Sequence, residues 1–166
     1  MALDPSKGQS EFNDYSALVL IGLGVDGLLY VDAALVRKDA SQVVEDCCDR
    51  AAKFGPEAFV IETNQFLQLF ETLFLQETRR RGQVVPFWPL NNTVNKVVRI
   101  RMLTPYLRSG RFRFKSDSRG AELLVEQLRT FPNNQHDDGP DALQMAISIL
   151  TALTRPVPAM EERAVA

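Results

Sequence analysis

Five carboxylates stand where chain segments begin or end. Asp4 closes the short apolar stretch Ala2-Leu3-Asp4, Glu62 closes the run from Ala58 to Ile61, and Asp137, Asp138 and Asp141 open the last apolar helix. In open α/β sheets, functional groups gather where strand ends and helix starts converge, so acids from three distant segments can meet there. Such a cluster repels itself unless divalent cations neutralise it. Two hard cations about 3.5–4 Å apart serve phosphodiester chemistry, one activating water and the other stabilising the leaving oxygen. Other ligand sets are excluded by count. His136 is the lone histidine, and Cys47 and Cys48 are the only cysteines. Neither an imidazole pair nor a cysteine-rich zinc site can form. Any metal is held mainly by oxygen, which selects Mg²⁺, Mn²⁺ or Ca²⁺. Each acid also has a plain structural role open to it. Asp4-Pro5 can open a turn, and Glu62 can be a solvated strand end. Asp138 can cap a helix whose first turn holds Pro140 and Asp141.

The elements that must position these acids follow from apolar periodicity. Ser16 to Gly22 and Leu28 to Val36 read as strands joined by a Gly/Asp turn. Ala2 to Asp4 reads as the end of a strand, short enough to suggest a chain cut from something longer. Ser41 to Phe54 is a helix closed by Gly55, with Val43, Val44, Cys47, Cys48 and Ala51 on one stripe. A strand follows at Ala58 to Ile61. Next come a helix from Phe66 to Arg81, a strand from Val84 to Trp88 and a helix from Val94 to Leu107. An extended segment from Arg111 to Phe114 precedes helices from Gly120 to Thr130 and from Asp141 to Leu153. The hairpin followed by β-α-β alternation implies a mixed sheet with helices packed on it. Phe87 and Trp88 read as core. The motif Gly22-Leu23-Gly24-Val25-Asp26-Gly27 matches a dinucleotide fingerprint, but a strand follows it where the fingerprint needs a helix. It is read as a hairpin turn.

The chain has 166 residues, 45% apolar, with a formal net charge of −2. That is one domain's worth of core. No apolar run approaches the roughly 18 residues of a membrane span, and the start carries no signal-peptide pattern. Two adjacent cysteines with no third fit a reduced, cytosolic setting. The small net charge conceals a cancellation. Residues 79 to 119 hold eleven basic side chains against the single acid Asp117, a local charge of +10. Residues 1 to 62 hold eleven acids and five basic residues, a charge of −6. An acidic zone with a basic belt suits a metal centre beside a phosphate-binding surface. Within the belt, Lys96, Arg99, Arg101, Arg111, Arg113 and Lys115 are the candidates for DNA-backbone contacts, which position DNA without reading sequence. Arg79, Arg80 and Arg81 end a helix, where cations are favoured in any case.

Several motifs, in order, resemble the nuclease domain of tailed-phage large terminase subunits. They are Leu3-Asp4-Pro5-Ser6-Lys7-Gly8 with Asp14-Tyr15-Ser16-Ala17, and Ile61-Glu62-Thr63-Asn64. Next come Lys96, Arg99 and Ile100 with Leu103, Pro105 and Gly110. Last is Phe131-Pro132 with His136-Asp137-Asp138-Gly139-Pro140-Asp141-Ala142-Leu143. The resemblance covers most of residues 2 to 150. It implies an α/β, ribonuclease H-like fold: a mixed sheet of five or six strands, an antiparallel hairpin plus parallel strands, flanked by helices. It implies a two-metal endonuclease that cuts concatemeric phage DNA during packaging. Two Mg²⁺ or Mn²⁺ ions would be held by Asp4, Glu62 and Asp138 or Asp141, with Asp137 and Asp14 as weaker ligands. His136 could orient a ligand or a phosphate. The implied partners are double-stranded DNA, the terminase ATPase motor domain, the small terminase subunit and the portal, in the cytoplasm of a bacterial host and with no membrane. No G-x-x-x-x-G-K-[ST] loop is present, so packaging ATPase activity is not expected. The chain then reads as an excised domain or a stand-alone relative, with a nuclease domain over 1–153 and a flexible tail over 154–166. Two alternatives stay open: a Holliday-junction resolvase-like nuclease, and a non-catalytic DNA-binding packaging module.

Overall fold

The structure, a computed structural model, describes residues 1–5, 15–62, 67–90, 92–133 and 136–155. Asp14, Ser6 to Gly8, Thr63, Asn64 and the expected tail from 156 onward lie outside these residues. Six strands form one sheet: β1 (Ala2–Asp4), β2 (Ser16–Leu23), β3 (Leu29–Val36), β4 (Phe59–Glu62), β5 (Phe87–Leu90) and β6 (Phe112–Phe114). Their order across the sheet is β5-β4-β1-β2-β3-β6. β2 runs antiparallel to both β1 and β3, while the β1–β4, β4–β5 and β3–β6 pairs are parallel. This is the mixed α/β sheet expected of the ribonuclease H-like arrangement. The helices are α1 (Ala40–Phe54), α2 (Leu67–Arg81), α3 (Lys96–Arg101), α4 (Thr104–Arg108), α5 (Arg119–Thr130) and α6 (Asp138–Thr154).

Two cores lie on the two faces of the sheet, and the period of two along each strand sorts residues between them. Ala17, Val19 and Ile21 of β2 join Leu124, Leu143 and Met145 of α5 and α6. Leu18 and Leu20 face the other way, to Val43, Cys47 and Cys48 of α1 and Phe74 of α2. Ala2 and Val60 belong to the α6 face, Leu3 and Ile61 to the α1 face. Asp4 and Glu62 share the parity of Ala2 and Val60, so both carboxylates turn toward α6.

The hairpin reading holds. Gly24 N–H donates to Leu28 O at 2.9 Å, Asp26 Oδ1 accepts from Leu28 N, and Gly27 takes φ +76°. Four expectations change. The strand expected at Val84 to Trp88 forms three residues later, since Phe59 N–H pairs with Pro86 O and the ladder runs Phe59↔Phe87 to Glu62↔Leu90. β5 is an edge strand, where Pro89 is tolerated. Trp88, expected in the core, is 54% exposed because α6 covers β1 and β2 and not the β5 edge. The helix expected from Val94 to Leu107 is two, broken at Met102-Leu103 where Pro105 enters the first turn of α4. α6 begins at Asp138 rather than Asp141 and extends to Thr154, one residue past the expected boundary. Among the described residues, no helix is long and apolar enough to cross a membrane.

Candidate metal centre

β1 and β4 are adjacent and parallel, with Ala2 opposite Val60 and Leu3 opposite Ile61. One step further along, Asp4 and Glu62 stand side by side at the C-terminal ends of these strands. Nearly three turns at the start of α6, Asp138 to Ile147, are buried. Gly139 permits close packing there. A Cβ there would meet Gln127 Oε1 at 2.7 Å and Leu124 Cδ1 at 3.0 Å, and the Gly139 N–H itself donates to Gln127 Oε1 at 2.9 Å. α6 is thereby seated on α5, and its first turn presents Asp141 to the two strand acids. Asp4, Glu62 and Asp141 can each offer one oxygen such that all lie within 4.8 Å of one another.

Asp137 and Asp138 take different places. Asp137 is the residue before the helix, but its carboxylate makes no capping bond; it pairs with Lys96 at 2.8 Å. Asp138, expected as the cap, lies inside the first turn, and its Oδ2 accepts from the Tyr15 N–H at 3.1 Å. The His136 ring packs edge-on to Tyr15 at 5.3 Å.

Two basic residues of α3 enter the acidic cluster. Lys96 Nζ lies 3.4 Å from Asp4, 3.5 Å from Asp141 and 4.0 Å from Asp138. Arg99, only 6% exposed, directs Nη2 to Asp141 Oδ2 at 3.0 Å and to Glu62 at 3.3 Å. Both were read from sequence as DNA contacts; here they face the acids. Asn92, absent from the sequence reading, donates to Glu62 Oε1 at 3.0 Å. The signal for it was available: Asn92 lies two residues beyond Leu90, which sits opposite Glu62.

The other basic candidates lie elsewhere. Arg101 is exposed on α3, about 7.5 Å further along the helix than Lys96. Arg113 lies opposite Tyr30 on β3, and Lys115 pairs with Asp32 at 3.5 Å. Their strand neighbours Phe112 and Phe114 pack on the α6 side, so Arg113 and Lys115 point to the opposite face of the sheet from the acids. Arg111 is spent on Gly27 O at 2.8 Å. Arg80 and Arg81 pair with Glu77, and Arg81 also with Asp49. The belt that is continuous in sequence is thus divided among separate surfaces.

The electrostatics are those of a site with excess negative charge. Burial pushes Asp4 up to about 7; Lys96 opposes the shift, while Asp141, Asp138 and Glu62 reinforce it. Burial likewise raises Asp141 to about 6 against the pull of Lys96 and Arg99. Lys96 is held above its ordinary range because its carboxylate neighbours outweigh its desolvation. Asp141 is fully buried, yet its Oδ1 has no hydrogen-bond partner. Such an orphaned anionic oxygen is costly unless a cation meets it. The donor set is all carboxylate oxygen, as Mg²⁺ and Mn²⁺ prefer, so these residues fit a hard divalent cation.

No protein-family model matches the chain, and no curated protein does. Among solved structures, that of RuvC from Thermus thermophilus is similar, at 15% identity over 88% of each chain, with a TM-score of 0.44.

Proposed function

We propose that this chain is a metal-dependent DNA nuclease whose centre is Asp4, Glu62 and Asp141. The observation that carries the proposal is the convergence of these three carboxylates, from three separate segments, around a buried Asp141 oxygen that no protein donor reaches. Capping and solubility alone give no reason to bury them together at the cost seen in the raised Asp4 and Asp141 values. A divalent cation held there would supply Lewis-acid charge to a phosphate and acidify water for attack on phosphorus. The protein's own contribution is positional. Asn92 and Arg99 fix Glu62, Arg99 also fixes Asp141, and the Tyr15 N–H holds Asp138. Glu62, Asp141 and Asp138 are thus restrained before substrate arrives, which lowers the entropy cost of the reaction. Arg101 lies two residues after the inward-facing Arg99 on α3, so it projects from the opposite side of that helix and would engage only DNA that passes there. Arg111, Arg113 and Lys115 would engage only DNA that passes the far edge of the sheet.

The expected result is Mn²⁺-dependent cleavage of plasmid DNA that falls at least 100-fold in Asp4→Asn, a loss typical of removing transition-state charge stabilisation. Wild-type cleavage by Asp4→Asn would refute the proposal. Intact DNA binding with no cleavage by any form would favour the non-catalytic packaging module. The substrate is read by comparing linear duplex with a four-way junction. Indifference to branching supports the terminase-like reading, with its motor, small subunit and portal as partners. Paired nicks at the junction support the resolvase-like one.

A further inference from the structure

The acids of the centre fall into two halves that share members. On one side Asp4, Glu62 and Asp141 can bring one oxygen each to a common point. On the other, Asp137 and Asp138 join Asp4 and Asp141 around the Lys96 ammonium, at 2.8, 4.0, 3.4 and 3.5 Å respectively. Shared carboxylates are how paired cations are held in two-metal centres. Here a cation that belongs to the chain already stands in one of the two positions.

We propose that Lys96 is a built-in counter-cation that fills the Asp137/Asp138 half of the centre, so that the chain binds one divalent ion where the terminase resemblance implies two. The inference rests on the metal-site reading above. Charge supports it. Fully ionised, five carboxylates against Lys96 and Arg99 leave the cluster at −3; one divalent ion brings it to −1, and a second would overshoot to +1. Position supports it too. Lys96 is the first residue of α3, whose start is anchored by Asn95 accepting from the Val97 N–H at 2.9 Å. Its side chain is two-thirds buried, so its stem is held while the head meets four carboxylates. Arg99 does not play the same part in the other half. It reaches Glu62 and Asp141 through one nitrogen and leaves Asp141 Oδ1 without a partner, which is where a metal is still needed.

The whole chain, titrated with Mn²⁺ by isothermal calorimetry, should bind one ion. Its electron paramagnetic resonance spectrum should lack the dipolar broadening of a close Mn²⁺ pair. Lys96→Met keeps most of the stem and drops the charge; it should double the count to two and bring in the coupled-pair signal. Two ions on the wild-type chain, or a folded Lys96→Met that still binds one, would overturn the assignment while leaving the metal centre standing. If Lys96→Met does not fold by circular dichroism, the wild-type count and spectrum decide alone. No Mn²⁺ bound by either form would overturn the metal-site reading, and Lys96's role with it.

Discussion

Replacing Asp4 with Asn should make the metal-free protein more stable while destroying its centre. Asp4 is buried beside Glu62, Asp138 and Asp141, and its pKa rises from 3.8 to about 7. The folded chain therefore holds the Asp4 proton more tightly than the unfolded chain does. Unfolding releases a proton between about pH 4 and pH 7, so this group's contribution to stability falls as pH rises through that window and is flat above it. At about 1.4 kcal/mol for each tenfold in proton affinity, the ionised carboxylate costs about 4 kcal/mol at pH 8. The attraction of Lys96 is already included in that shift. Asn mimics the protonated acid in shape and charge and removes the cost. For a chain of this size, each kcal/mol is worth about 2–4 °C, so Asp4→Asn should melt about 8–16 °C above wild type at pH 8 in EDTA. At pH 4 the two should coincide. Added Mn²⁺ should raise the wild-type melting temperature by mass action and leave Asp4→Asn unmoved. Differential scanning calorimetry at the two pH values, with and without Mn²⁺, reads all four conditions. An Asp4→Asn protein no more stable than wild type at pH 8 would refute the argument that this carboxylate is buried at a cost repaid by a cation.

Two further outcomes follow from the same geometry. Mn²⁺ affinity should be constant above about pH 7, fall about tenfold per pH unit between 7 and 6 as Asp4 protonates, and fall more steeply below 6 as Asp141 joins it; calorimetric titrations across pH 5–8 would show the two slopes. Gly139→Ala should cost about 1–3 kcal/mol by forcing the start of α6 off Gln127 and Leu124. Because that start carries Asp141, Mn²⁺ affinity should fall as well, and a chemical-denaturation curve paired with a titration would separate the two effects.

Much of this centre was legible from residue types and local periodicity. Alternation along β1 and β4 places Asp4 with Ala2 and Glu62 with Val60, while the pairing of Ala2 with Val60 puts the two acids on one face. The Gly24–Gly27 hairpin turn and the stripe of α1 follow from counting, because turns and amphipathic faces are short-range properties. The choice among Asp137, Asp138 and Asp141 was not legible. All three sit at one helix start, and the angle at which α6 crosses the sheet decides which carboxylate meets the strand acids. That angle depends on Gly139 seating against Gln127, a contact between segments twelve residues apart in the chain.

The basic residues mark the same divide. Composition alone establishes that eleven cations crowd between residues 79 and 119 and that the small net charge is a cancellation. Only the tertiary structure decides what they face. Strand alternation turns Arg113 and Lys115 away from the acids, and Glu77 and Asp49 occupy the end of α2. The break at Pro105 leaves α3 a short helix whose Lys96 and Arg99 reach inward. Charge in a sequence is counted along a line, whereas charges interact through space, and the pairing of six strands sets which distances are short.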